Sequence, residues 1–177
     1  MSGKLRVAIA GTGFGAKYAV GLHAHPEVEI VGVFSRRAER AQAMAEEFGI
    51  PFWTRDFQDL VQLPQLDVVA VVTPNSTHAE YVRTALRAGK HVVCDKPLAL
   101  NREEGERLLR EAEERGLKHV TFVPYRFSPA SLAMKQAIQE GRLGRIIGMR
   151  ATWAVDMKAE PLRWRFQRKL SGPGVVA

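Results

Sequence analysis

Residues Leu5 to Val20 read LRVAIAGTGFGAKYAV. A short apolar run, LRVAIA, is followed at once by three glycines, Gly11, Gly13 and Gly15, and then by a stretch of helical composition. One glycine suffices for a turn. Three so close together imply that something must approach the backbone. Gly11-Thr12-Gly13-Phe14-Gly15-Ala16 has the form G-x-G-x-x-A. A strand before it and a helix after it are the context in which that spacing marks a dinucleotide diphosphate site. Gly11 permits the tight turn, Gly13 removes a side chain from the path of the diphosphate, and Ala16 is small enough for close helix–strand packing. Gly15 is one glycine more than the three-point pattern needs. The N–H groups and the dipole at the start of the helix would face the diphosphate, with the dipole contributing about 0.3–1 kcal/mol.

Working outward, apolar runs alternate with helical patterns. VEIVGVF, LDVVAVV, KHVVC and HVTFVP read, with LRVAIA, as short strands, the inner ones buried on both faces. Ala16–Ala24, Arg37–Phe48, His78–Ala88 and Arg102–Arg115 read as helices, and Gly49, Gly89 and Gly116 stand where helix C-caps belong. This β-α-β-α order predicts an α/β fold, a Rossmann doubly wound parallel sheet over residues 1–122. The pattern changes at Val123. SPASLAMKQAIQE reads as one helix, RIIGMRATWAVDM (Arg145–Met157) as one long strand, and the rest as loop. Residues 123–177 therefore read as the start of an incomplete α+β second domain, which one helix and one strand cannot close.

Bulk properties exclude several classes. The chain has 177 residues, 46% hydrophobic, and no apolar stretch long enough to span a membrane. Cys94 is its single cysteine, so no disulfide framework or cysteine zinc site can form within it, and a cytoplasmic location is the default expectation. His23, His25, His91 and His119 lack metal-ligand spacing and read as structural; no metal is expected. The net charge of +7 is uneven: residues 1–120 balance at 16 basic and 16 acidic, and residues 121–177 hold 10 basic and 3 acidic. Those basic residues are dispersed and match no nucleic-acid motif. The expected partners are a small-molecule substrate and further copies of the chain in a homo-oligomer, with neither nucleic acid nor membrane.

The end of the second strand bears on the cofactor. Roughly 20 residues past the fingerprint, an NAD site places an acid on the ribose 2′-OH. Here VEIVGVF leads into Ser35-Arg36-Arg37, and no acid occurs before Glu39. A hydroxyl and two guanidiniums suit a 2′-phosphate, with Arg36 able to lie against the adenine. The competing reading is three solvated residues opening a helix. NADP is the cofactor expected, with NAD as the alternative.

Two further motifs carry a resemblance: Val72-Thr73-Pro74-Asn75-Ser76-Thr77-His78, and Ala88-Gly89-Lys90-His91-Val92-Val93-Cys94-Asp95-Lys96-Pro97. With the glycine loop, in this order, they resemble the glucose–fructose oxidoreductase / inositol dehydrogenase (Gfo/Idh/MocA) family from about Leu5 onward. The resemblance implies an oxidoreductase that moves a hydride between NADP(H) and a sugar, polyol or related small alcohol or ketone. It implies that Thr73, Pro74, Asn75 and His78 line the cofactor near its nicotinamide half. Asp95, where the family usually has Glu, would contact the cofactor ribose. Lys96 would be the catalytic lysine, joined to Pro97 by a cis peptide bond, and both would border the cofactor. Pro124-Tyr125-Arg126-Phe127 and Trp164-Arg165-Phe166 resemble the family's entry to the second domain and its W-R segment. Arg126 and Arg165 would reach the cofactor or an anionic substrate, or else be solvated. Trp164 would cover the nicotinamide, or else be a core aromatic.

The resemblance breaks near the end. Ser171-Gly172-Pro173-Gly174 resembles the glycine-rich stretch before the family's D-x-G-x-H segment, which supplies a catalytic Asp and His, and the sequence stops at Ala177. The expectation is a fragment of a longer protein, a form that binds cofactor with little turnover. A dinucleotide-binding module without catalysis is the alternative.

Overall fold

The computed structural model describes residues 3–152 and 167–172. Six strands form one sheet: β1 (Leu5–Ala10), β2 (Val28–Phe34), β3 (Trp53–Thr54), β4 (Val68–Val71), β5 (His91–Asp95) and β6 (His119–Phe122). Their order is β3-β2-β1-β4-β5-β6 and every pairing is parallel. This is the doubly wound arrangement, in which the strand order reverses between β1 and β4 and ligands bind outside the carboxyl ends there.

The helices α1 (Gly15–His23), α2 (Ala38–Phe48), α3 (Phe57–Val61), α4 (His78–Arg87) and α5 (Arg102–Glu114) are the crossovers. The inner strands are apolar on both faces because both are covered. Ala8, Ala10, Val69 and Val71 pack with Phe57, Leu60, Val82 and Leu86 on one side. Val7, Ile9, Val68 and Ala70 pack with Ala19, Met44 and Ala45 on the other. α4 buries Ala79, Val82, Ala85 and Leu86, a helical period aimed at the sheet. Asn101 caps α5 through its side chain to the Glu104 N–H, and Asp56 caps α3 through the Gln58 N–H. β3 and α3 are too short to show a period and are absent from the pattern read in the sequence.

Residues 3–122 and 167–172 belong to one compact unit, and residues 123–152 to a second. The second unit holds a 3₁₀ turn, Pro124–Phe127, and α6 (Pro129–Gln139), whose Ser128 Oγ accepts the Ser131 N–H at 3.2 Å. No residue of α6 is buried. The strand expected over Arg145–Met157 is not formed across residues 145–152, which take no regular structure; the remainder of that stretch lies outside the described residues. Alternation alone does not make a strand, since its backbone groups need a paired neighbour, and among the described residues none pairs here. Ile147 and Met149 are left 89% and 77% exposed. In the first unit a short helix, α7 (Arg168–Ser171), follows. No helix among the described residues is long and apolar enough to cross a membrane.

Candidate functional site: the carboxyl edge of the sheet

The loops after β1, β2, β4 and β5 converge at the switch point. The glycine turn follows β1. Gly11 has φ +109°, and its N–H donates to the Phe34 carbonyl at 2.9 Å, tying the turn to β2. A Cβ on Gly11 would collide with the Val72 carbonyl at the end of β4. A Cβ on Gly13 would meet no atom within 4 Å. Gly13 is exposed, so its bareness serves no packing, and the space before it is open to a ligand. The close helix–strand contact falls to Gly15, not Ala16. Gly15 is buried with Ile9 Cγ2 3.1 Å from where its Cβ would be, and Ala16 is half-buried. The third glycine, superfluous by pattern, is the packing one.

α1 starts without a side-chain cap and with no acid in its first turn. The Gly15 and Ala16 N–H groups have no partner within the helix, while the Lys17 N–H donates to the Phe14 carbonyl at 3.0 Å; with the positive dipole end, this start suits a diphosphate. The exposed Phe14 ring carries the Lys17 ammonium 5.1 Å from its centroid. Thr12 lies half-buried between Gly11 and Gly13. These features fit a dinucleotide diphosphate along the turn.

At the end of β2, Ser35 Oγ accepts the Arg37 N–H at 3.2 Å, and Arg37 is the N-cap of α2. Arg36 lines a cleft of about 500 Å³. Arg55, which the sequence pattern did not single out, lines it too, with Phe34, Phe57 and Tyr81 as its aromatic wall. Phe57 and Tyr81 have ring centroids 4.4 Å apart. Burial pushes the Tyr81 phenol above its ordinary value, an effect the Arg36 charge opposes.

The loop after β4 is ordered from within. Thr77 Oγ1 lies 2.8 Å from both Thr73 Oγ1 and the Pro74 carbonyl, closing a 3₁₀ turn over Asn75–Thr77. Asn75 Nδ2 donates to the Ser171 carbonyl at 2.8 Å, so α7 docks on this turn. His78, expected to line the cofactor, is fully buried. Its Nδ1 is 2.6 Å from the Pro97 carbonyl and its Nε2 is 2.7 Å from the Thr73 carbonyl. The ring is a strut between the loops after β4 and β5, behind the surface they present. Burial on the α4 face, not the motif, explains this histidine.

Asp95 ends β5, and Lys96 follows, exposed, with the Lys96–Pro97 peptide bond cis. Tyr18, not anticipated from the sequence, reaches from α1 to Asp95, its hydroxyl donating to Oδ1 at a long 3.4 Å. Its ring stands edge-on to Phe14 and Phe122. Burial, then the Asp95 carboxylate, raises the Tyr18 phenol far above its usual range. Tyr18 sits one turn after Gly15, on the half-buried face of α1, and that periodicity was its only signal. Arg126 is exposed on the 3₁₀ turn of the second unit. Trp164 and Arg165 lie outside the described residues.

Comparison with known proteins agrees with this geometry. Residues 5–122 match the family model GFO_IDH_MocA, described as an oxidoreductase family with an NAD-binding Rossmann fold. The chain is similar to levoglucosan dehydrogenase of Pseudarthrobacter phenanthrenivorans, 37% identical over 141 residues, or 78% of this chain and 36% of that protein. Two solved structures differ in their cofactor. A scyllo-inositol dehydrogenase from Lactobacillus casei with bound NAD(H) and scyllo-inositol matches with a TM-score of 0.76 at 26% identity, over 80% of this chain and 42% of that one. A variant of a 3-ketoreductase from Actinomadura kijaniata, in complex with TDP-benzene and NADP, matches with a TM-score of 0.73 at 33% identity, over 81% and 46%. The chain spans less than half the length of the curated relatives it matches.

Proposed function

Because the chain belongs to the GFO_IDH_MocA oxidoreductase family, with its NAD-binding Rossmann fold, we propose that it is the dinucleotide-binding part of an NADP-dependent dehydrogenase acting on a sugar, polyol or related small alcohol or ketone. The observation that carries this reading is the pairing of an open position at Gly13 with Lys96 at the end of β5, both at the carboxyl edge of one parallel sheet. The nicotinamide cofactor, when bound, supplies the hydride acceptor or donor.

The protein's own residues do the rest. The glycine turn and the start of α1 hold the diphosphate. Ser35 and Arg36 hold the 2′-phosphate. The solved relatives include one with NAD(H) and one with NADP, so this chain's own residues are what favour NADP. Charged hydrogen bonds of this kind contribute about 1.5–3 kcal/mol, roughly a tenfold to hundredfold preference. Thr73, Pro74 and Asn75 form a surface toward the nicotinamide half, and Asp95 one toward its ribose. His78 and Tyr18 hold those loops from behind. Lys96 bonds the substrate oxygen and moves its proton, a role that contributes about 10²–10⁴-fold in rate.

The test is NADPH consumption, and NADP⁺ reduction, by the whole dehydrogenase of which this chain is proposed as the dinucleotide-binding part, against a panel of sugars, inositols and their keto forms. Lys96→Met should lower kcat at least about a hundredfold and leave dinucleotide affinity within about twofold. Full turnover by Lys96→Met would overturn the catalytic assignment. Dinucleotide binding with no turnover on any member of the panel would favour a non-catalytic module.

A further inference from the structure

The cleft beside β2 contains a second arginine that the cofactor reading does not use. We propose that Arg55 is a specificity-determining residue, forming with Arg36 a two-guanidinium clamp for the 2′-phosphate of NADP. This rests on the dinucleotide reading above and extends it to a residue outside the motif at the end of β2.

Register brings the two arginines together. β2 and β3 run parallel with Phe34 opposite Thr54, and the Ser35 N–H donates to the Thr54 carbonyl at 3.2 Å. The residues that follow, Arg36 and Arg55, leave adjacent strands at the same edge and line the same cleft of about 500 Å³. Neither position is buried, so both guanidiniums are available.

Arg6, Arg83, Arg87, Arg102, Arg110, Arg115 and Arg142 each form an ion pair with a carboxylate. The cleft also holds two carboxylates, Asp56 and Glu80. Among the described residues neither Arg36 nor Arg55 is ion-paired, which they share with Arg37, Arg40 and Arg107 among others; what sets them apart is that they line one cleft. Asp56 is committed elsewhere, its Oδ1 accepting the Gln58 N–H at 2.8 Å to cap α3. Glu80 lies in the first turn of α4. Guanidiniums match phosphate oxygens by paired N–H donation, and arginine is favoured where such planar recognition is needed. The ribose diol of NAD offers these donors only neutral oxygens.

The test compares NADPH and NADH affinity by fluorescence titration of the wild type, Arg55→Gln, Arg36→Gln and the double variant. Thermal denaturation confirms that each is folded. The expected result is tighter NADPH than NADH in the wild type, a loss of roughly tenfold in NADPH affinity for Arg55→Gln, and NADH affinity for Arg55→Gln within about twofold of wild type. The double variant should bind both dinucleotides alike. If both dinucleotides bind and Arg55→Gln weakens neither, or both equally, Arg55 has no such role and the family reading stands. Tighter NADH than NADPH in the wild type would assign the cleft to the ribose diol, held by Glu80, and overturn the clamp. Absence of binding by either dinucleotide would overturn the underlying reading and the clamp with it.

Discussion

Gly11 and Gly13 stand two residues apart, and substituting each with alanine should have opposite consequences. At Gly11 the chain has φ +109°, and a Cβ would run into the backbone carbonyl of Val72. The backbone strain alone costs about 1–3 kcal/mol. Overpacking against a carbonyl at the end of a core strand adds about 1–3 kcal/mol more. For a chain of this size each kcal/mol lowers Tm by about 2–4 °C, so Gly11→Ala should lower Tm by at least about 4 °C. At Gly13 a Cβ meets nothing within 4 Å, and the residue is not among the glycines with positive φ. Gly13→Ala should leave stability within about 1 kcal/mol of wild type. The new methyl group would stand where the diphosphate must approach, so NADPH affinity should fall at least about tenfold, equivalent to about 1.4 kcal/mol. Circular-dichroism melting and NADPH fluorescence titration read the two effects separately. A Gly13→Ala variant that binds NADPH as tightly as wild type would refute the placement of the diphosphate. An unchanged Tm for Gly11→Ala would refute the collision with Val72.

Three other outcomes follow from the same geometry. His78→Ala removes a fully buried ring and, with it, the N–H that one of the two flanking carbonyls accepts; the lost donor and the cavity should together show as a loss of about 2–5 kcal/mol in urea unfolding, and a loss under about 1 kcal/mol would mean that the ring is no strut. The Arg6 side chain and N–H bond to Asp67 and hold its carboxyl below the ordinary carboxylate range. That stabilisation is present above about pH 4, the unfolded value, and is lost as pH falls through the lowered folded one. Asp67→Asn should therefore melt lower than wild type at pH 7 with the gap closing in acid, whereas a gap constant from pH 7 to pH 2 would contradict the pairing. The Cys94 thiol is fully buried, and burial, then the Asp95 charge, raises it far above its usual range. Iodoacetamide at pH 8 should label it only on unfolding, and rapid labelling of the native chain would place β5 differently.

Where the chain has long apolar runs or motifs with fixed backbone requirements, the fold was legible. β1 and β2 occupy the residues read as LRVAIA and VEIVGVF, and α2, α4 and α5 differ by one residue at an end. β3 and α3 escaped because two and five residues carry no period, and Arg55 escaped with them, since only the β2–β3 register sets it beside Arg36. The role of His78 was not visible in its motif: a histidine facing a cofactor and one bridging two backbone carbonyls have the same spacing. Gly15 and Ala16 exchanged roles because the fingerprint counts positions, and the rotation of α1 against Ile9 decides which one is buried. The alternating stretch from Arg145 misled because periodicity describes a strand's faces and says nothing of whether a neighbour exists to pair with it.

A crystal structure of this chain grown with NADP would show whether the carboxyl edge between β1 and β4 holds a phosphorylated nicotinamide dinucleotide. Electron density is expected for the diphosphate over Gly13 at the start of α1, with the 2′-phosphate in the cleft between Arg36 and Arg55. Density for the dinucleotide elsewhere on the molecule, or an adenosine end turned away from that cleft, would contradict it.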